Sequence, residues 1–245
     1  MTYGLGLFLE DGFVVTADTR SNAGVDHIAT ISKIAVFQNA QERIMVLASA
    51  GNLATTQAVV TLLNQRLGEV GNPTNLLDAA TMFDATKMVG SVLREVMNAN
   101  AQHVQAYGDP SASFLFAGQI AGGKHRLFLV YPAGNFIEAS SDTPYLQIGE
   151  VKYGKPILDR AMSHDVSLPE AVKLTLISFD ATVRSNLSVA APFDMVVYKA
   201  DSLGPVQVRR VEMEDPYFVQ IRDSYSKAIR ESVRALPPAE WDEFA

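Results

Sequence analysis

The chain opens MTYGLGLFLEDGFVVTADTRSNAGVDHIATISK, residues Met1 to Lys33, and the reading of this stretch decides the fold. Tyr3 to Leu9 and Phe13 to Ala17 are two apolar runs separated by Glu10-Asp11-Gly12. Asp-Gly between such runs is a strong short-range hairpin signal. The hairpin returns the chain so that Asp18 lies near its start. If Met1 is removed, Thr2 carries a hydroxyl and a free α-amine on one residue. Threonine is small enough for a methionine-trimming enzyme to act on the preceding residue. An α-amine titrates at about pH 7.7–8.0, so it can serve as general base for its own hydroxyl. Such a nucleophile gains from a buried cation that lowers the hydroxyl pKa, and a buried cation needs a carboxylate partner. Thr2, Lys33 and Asp18 are candidates for these three roles. Each also has a plainer reading: the first residue of an edge strand, a solvated lysine, a strand-end cap.

These residues resemble those of the proteasome-type β subunits, and in detail those of the bacterial Anbu subfamily, the ancestral β subunits related to HslV. The resemblance is carried by Thr2, by the run Val15-Thr16-Ala17-Asp18-Thr19-Arg20-Ser21-Asn22-Ala23-Gly24, by Lys33 at the opening of a strand, and by Ser49-Ala50-Gly51-Asn52-Leu53-Ala54-Thr55-Thr56-Gln57. It extends over essentially the whole chain. The spacing from Thr2 to Lys33 is one residue shorter than in ordinary proteasome β subunits.

Composition bounds the alternatives. At 245 residues, 48% of them apolar and 19% charged, the chain can bury a substantial core and reads as an ordinary globular protein. A net charge of −7 without a basic cluster argues against nucleic acid or an anionic membrane as partner. With no cysteine there is neither a disulfide framework nor a thiolate metal site. The four histidines, His27, His103, His125 and His164, lack metal-ligand spacing and read as surface or loop residues. No cofactor or metal is expected. No apolar run approaches the roughly 20 residues that span a bilayer, and no signal-peptide pattern opens the chain. A cytoplasmic location is the expectation.

Further along, Lys33 to Phe37 and Arg43 to Ala48 read as a second strand pair. A helix follows Gly51-Asn52, Gly71-Asn72-Pro73 breaks it, and a longer helix is expected from about Leu76 to Val104. Strands return over Ser113 to Gln119, His125 to Tyr131 and Asn135 to Ala139. Helices are expected over Pro156 to Met162 and from Ser167 to about Arg184, the latter opened by a capping box with Glu170. Strands over Phe193 to Tyr198 and Val206 to Val211 precede a terminal helix, Pro216 to Ala235. This order predicts an α+β fold with two antiparallel sheets enclosed by two helical layers. The resemblance implies the same four-layer αββα sandwich of the N-terminal nucleophile (Ntn) hydrolase type. Residues 1–235 are expected to form one domain and 236–245, with Pro237-Pro238 and Trp241, a loose tail.

A tetrahedral oxyanion needs backbone N–H donors. Gly51, at the mouth of a helix, allows close backbone approach beside a positive dipole end; Ala50 is its rival. The resemblance also implies a serine and an acid near the threonine amine, supplied by the segment after the fourth helix. That segment does not reproduce the usual pattern, so Ser188, Ser185 and Asp180 all remain candidates. Glu150 stands where the family carries a serine between glycines. The implied activity is threonine-dependent hydrolysis of amide bonds in peptides by a self-assembling subunit, in a ring or an open helical arrangement, with any ATP-dependent unfoldase partner unidentified. Two other readings stay open: an amidase or acylase of small molecules, and a non-catalytic assembly or binding subunit.

Overall fold

The computed structural model describes residues 1–22, 28–104 and 108–239; Ala23, Gly24, His27 and Trp241 lie outside them. Strand β1 (Tyr3–Leu9) and strand β2 (Gly12–Asp18) form the hairpin expected from the sequence. Leu9 pairs with Gly12, so Glu10-Asp11 alone makes the turn and Gly12 already belongs to the strand. Strand β3 (Arg20–Asn22) and strand β4 (Ile28–Thr30) form a small separate ribbon. Strands β5 (Ile34–Asn39) and β6 (Arg43–Gly51) follow, then helix α1 (Leu53–Gln65) and helix α2 (Met82–Val104). Strands β7 (Ala112–Ile120), β8 (Arg126–Val130), β9 (Phe136–Glu138) and β10 (Tyr145–Gly149) lead to helices α3 (Lys155–Ala161) and α4 (Leu168–Ser185). Strands β11 (Phe193–Lys199) and β12 (Arg209–Val211) and helix α5 (Pro216–Ala235) complete the chain.

Two five-stranded antiparallel sheets result, in the orders β10-β1-β2-β11-β12 and β5-β6-β7-β8-β9. Alternation along each strand divides its side chains between two cores. Phe13, Val15 and Ala17 of β2 point into the layer between the sheets, against Val46, Leu115 and Leu127, while Val14 faces the opposite way. Val14 joins Leu5, Leu7 and Phe193 in a second core beneath Leu158, Leu176, Phe179 and Phe218 of α3, α4 and α5. The third core packs Met45, Leu47, Phe114 and Phe116 under Val59, Leu63, Val89 and Leu93 of α1 and α2. Three cores between four layers make the αββα sandwich. Because β1 and β2 are covered on both faces, they read as continuous apolar runs rather than as half-buried alternation.

The structure departs from the sequence expectation in several places, the first being the unexpected β3–β4 ribbon. The long helix expected from Leu76 is a single 3₁₀ turn, Leu76–Asp78, then a break, then α2. Thr81 starts α2 afresh: its Oγ1 accepts from Asp84 N at 3.1 Å and donates to Asp84 Oδ2 at 2.8 Å. Strand β10 was not expected at all; its five residues include the polar Gln147, whose amide serves the Tyr3 hydroxyl at 2.8 Å. The strand expected from Val206 begins only at Arg209, since Val206 N donates to the Gln38 side chain at 3.2 Å rather than to a neighbouring strand.

Candidate active site

Asp18 is the last residue of β2 and is fully buried. Its Oδ1 accepts from Tyr3 N at 3.0 Å and from Lys33 Nζ at 2.8 Å, and its Oδ2 accepts from Arg20 N at 3.2 Å. One carboxylate thus ties the start of β1 to the end of β2 and receives the lysine. Lys33, 8% exposed, stands one residue before β5 and donates a second hydrogen bond to the Arg20 carbonyl at 2.7 Å. It reaches this place because the β3–β4 ribbon carries the chain back, with Ile31 N on Thr19 O at 2.8 Å and Ser49 N on Lys33 O at 3.0 Å. Burial pushes the Asp18 carboxyl above its ordinary range, against the pull of Lys33 and of the Tyr3 and Arg20 amides. Burial likewise lowers the Lys33 ammonium, against the pull of Asp18. A lysine of weakened proton affinity that lines the same cleft as Thr2 suits a role in activating its hydroxyl.

Thr2, 7% exposed, precedes β1, and Glu150 N donates to its carbonyl at 2.7 Å. Gly149 makes this approach possible: its φ is +78°, and a Cβ there would lie 1.9 Å from the Thr2 carbonyl oxygen. Thr2, Lys33, Arg20, Ser49, Ala50 and Gly51 all line one cleft of about 340 Å³, with Met1, 66% exposed, at its edge. Gly51 ends β6 with φ +111°, where a Cβ would meet the Ser111 carbonyl at 2.4 Å. Asn52 then caps α1, accepting from Thr55 N at 3.2 Å, so the positive end of that helix opens at the cleft. A second cavity of about 280 Å³ adjoins the first along Lys33, Ser49, Leu53 and Thr56, with Ile34, Ala35, Gln57 and Val60 among its other walls.

The last turns of α4, with Asp180 and Ser185, and the residues just after it, with Ser188, are placed differently from the other candidates. Ser188, Ser185 and Asp180 do not line the cleft, and neither does Glu150. Asp180 is paired with Arg184 of its own helix at 2.8 Å, and Ser188 N donates to the Asn186 side chain at 2.9 Å. Glu150, 7% exposed, accepts instead from Asn186 Nδ2 at 2.9 Å. Its burial is visible only once β10 is known, so sequence reasoning noticed the substitution without finding its partner. His125 and His164 lie in loops, half-buried against Phe8, with ring nitrogens at 2.8 Å from Leu9 O and 3.2 Å from Phe8 O; His103 is exposed. Among the described residues, no group of three His, Cys, Asp or Glu side chains is placed to hold a metal, and no helix is long and apolar enough to cross a membrane.

A family model for the proteasome subunit matches residues 3–197. Among solved structures, Anbu from Yersinia bercovieri is 44% identical with a TM-score of 0.91, the alignment covering 97% of this chain and 99% of that one. A helical assembly of the Anbu complex from Pseudomonas aeruginosa is 46% identical with a TM-score of 0.92, covering 97% and 98%. Anbu from Hyphomicrobium sp. is 44% identical with a TM-score of 0.88, covering 98% and 100%. No curated protein matches the chain.

Proposed function

This chain belongs to the proteasome subunit family, in its Anbu branch, and from that membership we propose that it is a threonine peptidase of the N-terminal nucleophile class, with Thr2 as nucleophile once Met1 has been removed. The observation that carries the reading is the buried Lys33–Asp18 pair, whose lysine lines the same cleft as Thr2. The Thr2 hydroxyl attacks the carbonyl of a bound peptide, and its proton passes to the Thr2 α-amine. Lys33, held by Asp18, favours the alkoxide. Backbone N–H at Gly51 takes the oxyanion. Collapse of the tetrahedral intermediate forms an ester to Thr2 Oγ1, breaks the amide C–N bond and returns the proton to the leaving amine. Water then attacks the ester, releasing the carboxylic acid and restoring the hydroxyl.

The adjoining cavity defines the substrate further. Its walls carry one charged group, Lys33, already neutralised by Asp18, together with apolar Ile34, Ala35 and Val60 and uncharged Gln57 and Thr61. It suits a neutral, medium-sized side chain on the acyl side of the cleaved bond. The subunit is proposed to self-assemble, as the Pseudomonas relative does in a helical assembly.

The test is chemical and genetic together. Protein from the native host should have an intact mass lacking Met1, and an electrophile selective for N-terminal threonine should be captured at Thr2. Thr2→Ala should lower turnover of a fluorogenic peptide by more than about a thousandfold with its melting temperature unchanged. Retained turnover in Thr2→Ala would overturn the assignment, and a retained Met1 without an adduct would leave a non-catalytic assembly subunit.

A further inference from the structure

The amine of a mature Thr2 must gain a proton as the hydroxyl loses one, and a buried ammonium needs a carboxylate to receive its charge. The buried carboxylate behind the cleft, Asp18, already accepts from Lys33 Nζ and two backbone amides. The second buried carboxylate at the start of β1 is Glu150. Glu150 N is 2.7 Å from Thr2 O, and the pairing continues the β1–β10 register from Tyr3 opposite Gly149. Thr2 and Glu150 are therefore cross-strand neighbours, whose Cβ atoms are typically about 5 Å apart. The Glu150 side chain does not escape to solvent: the residue is 7% exposed, its Oε2 accepts from Asn186 Nδ2 at 2.9 Å and its Oε1 accepts only a long contact from Lys152 N at 3.4 Å.

The loop that carries Asn186 is pinned a second time, by Arg20 Nη1 on the Leu187 carbonyl at 2.8 Å. Glu150 follows β10, on one side of β1, and Arg20 follows β2, on the other. A loop tied to both is anchored on the two sides of β1, which Thr2 precedes. The other charged groups near this point are accounted for: Lys33 is paired with Asp18, Asp180 with Arg184, Arg20 faces a carbonyl, and Lys152 is exposed.

We propose that Glu150, held by Asn186, is the carboxylate that receives the charge of the protonated Thr2 α-amine, the place that sequence reasoning left open among Ser188, Ser185 and Asp180. Glu150 is then a positioning residue that raises the proton affinity of the amine and keeps the proton available for the leaving group. This rests on the reading of Thr2 as an N-terminal nucleophile, but its test does not depend on turnover.

The chain is released from an N-terminal fusion by a protease that leaves Thr2 first, and acetylation of the Thr2 α-amine by acetic anhydride is followed against pH by mass spectrometry. Glu150→Gln is expected to lower the midpoint of that curve by about one pH unit, a tenfold change in proton affinity. Glu150→Asp, which withdraws the carboxylate by one methylene, is expected to lower it by less, and it serves if Glu150→Gln does not fold. Asp180→Asn should superimpose on wild type. A midpoint unchanged from wild type in either Glu150 variant, or one displaced in Asp180→Asn, overturns the proposal. Loss of activity in Thr2→Ala, by contrast, speaks only to the nucleophile.

Discussion

Asp18 and Lys33 together decide what the cleft costs the fold. Both are buried, and burial drives each toward its neutral form. The raised Asp18 pKa means that its contribution to stability is present below the unfolded value and lost as pH rises through the folded one. The lowered Lys33 pKa means that its contribution is present above the unfolded value and lost as pH falls through the folded one. Near neutrality, then, desolvation opposes both charged forms and their mutual attraction offsets it. Removing one partner leaves an uncompensated buried charge, so Lys33→Met or Asp18→Asn alone should cost about 3–5 kcal/mol in urea denaturation at pH 7. The double variant should recover most of that loss. A double variant as unstable as the worse single one would show that the pair acts through packing instead. Tyr3 offers a cleaner titration. Burial pushes its hydroxyl up to about 12 from 10.0, so the folded state is favoured below pH 10 and that advantage is lost as pH rises toward 12. Over this window wild type should lose about 2–3 kcal/mol that Tyr3→Phe does not, a difference readable in paired urea titrations. The pairing of Asp18 with Lys33 was legible because it depends on the first hairpin and one motif. The Glu150–Asn186 contact was not, because it depends on the register of a strand that the sequence hides.

That strand, β10, shows why elements differ in legibility. The β1–β2 hairpin, the Ser167–Glu170 start of α4 and the α5 boundaries follow from local chemistry: a two-residue turn, a side chain reciprocally bonded across a first turn, and Asp215 accepting from Tyr217 N and Phe218 N. Strand β10 has no such signal, since tertiary pairing with β1 overrides a weak local preference. The break before α2 did have one, the Thr81–Asp84 pair, hidden by apolar residues continuing on both sides. The turn that ends β10 gives a test at this scale. Gly149 and Gly68 share φ +78°, but a Cβ at Gly68 meets nothing within 4 Å, whereas at Gly149 it collides with Thr2 O. Gly68→Ala should therefore cost only the left-handed backbone penalty of about 1–2 kcal/mol. Gly149→Ala should cost distinctly more, and it should also displace Thr2 from the cleft. Equal losses in chemical denaturation would mean that the β1–β10 junction yields without strain.

At the scale of the molecule, three cores account for both sheets and the inner faces of the helices, and the order of apolar strand runs and helical patterns made the layered fold readable from sequence. Helix α5 is the element that those cores leave least satisfied. Its first turns are anchored through Phe218 and Ile221, but Ile229, Val233 and Leu236 are 45%, 63% and 66% exposed. Ile229 and Val233, four apart, lie along one side of the helix, and Leu236 follows just past its end. Periodicity assigns such residues to a core, and the described residues supply none. If the subunit self-assembles as proposed, a second copy is the fitting cover, since burying apolar surface of this kind favours association. Light scattering of the wild-type protein should give a mass that is a multiple of 26.6 kDa. Ile229→Asp combined with Val233→Asp should lower that mass while the melting temperature of the subunit holds, because neither side chain reaches its own core. A wild-type mass of 26.6 kDa would end the assembly reading, and an undiminished mass in the double variant would move the contact away from α5.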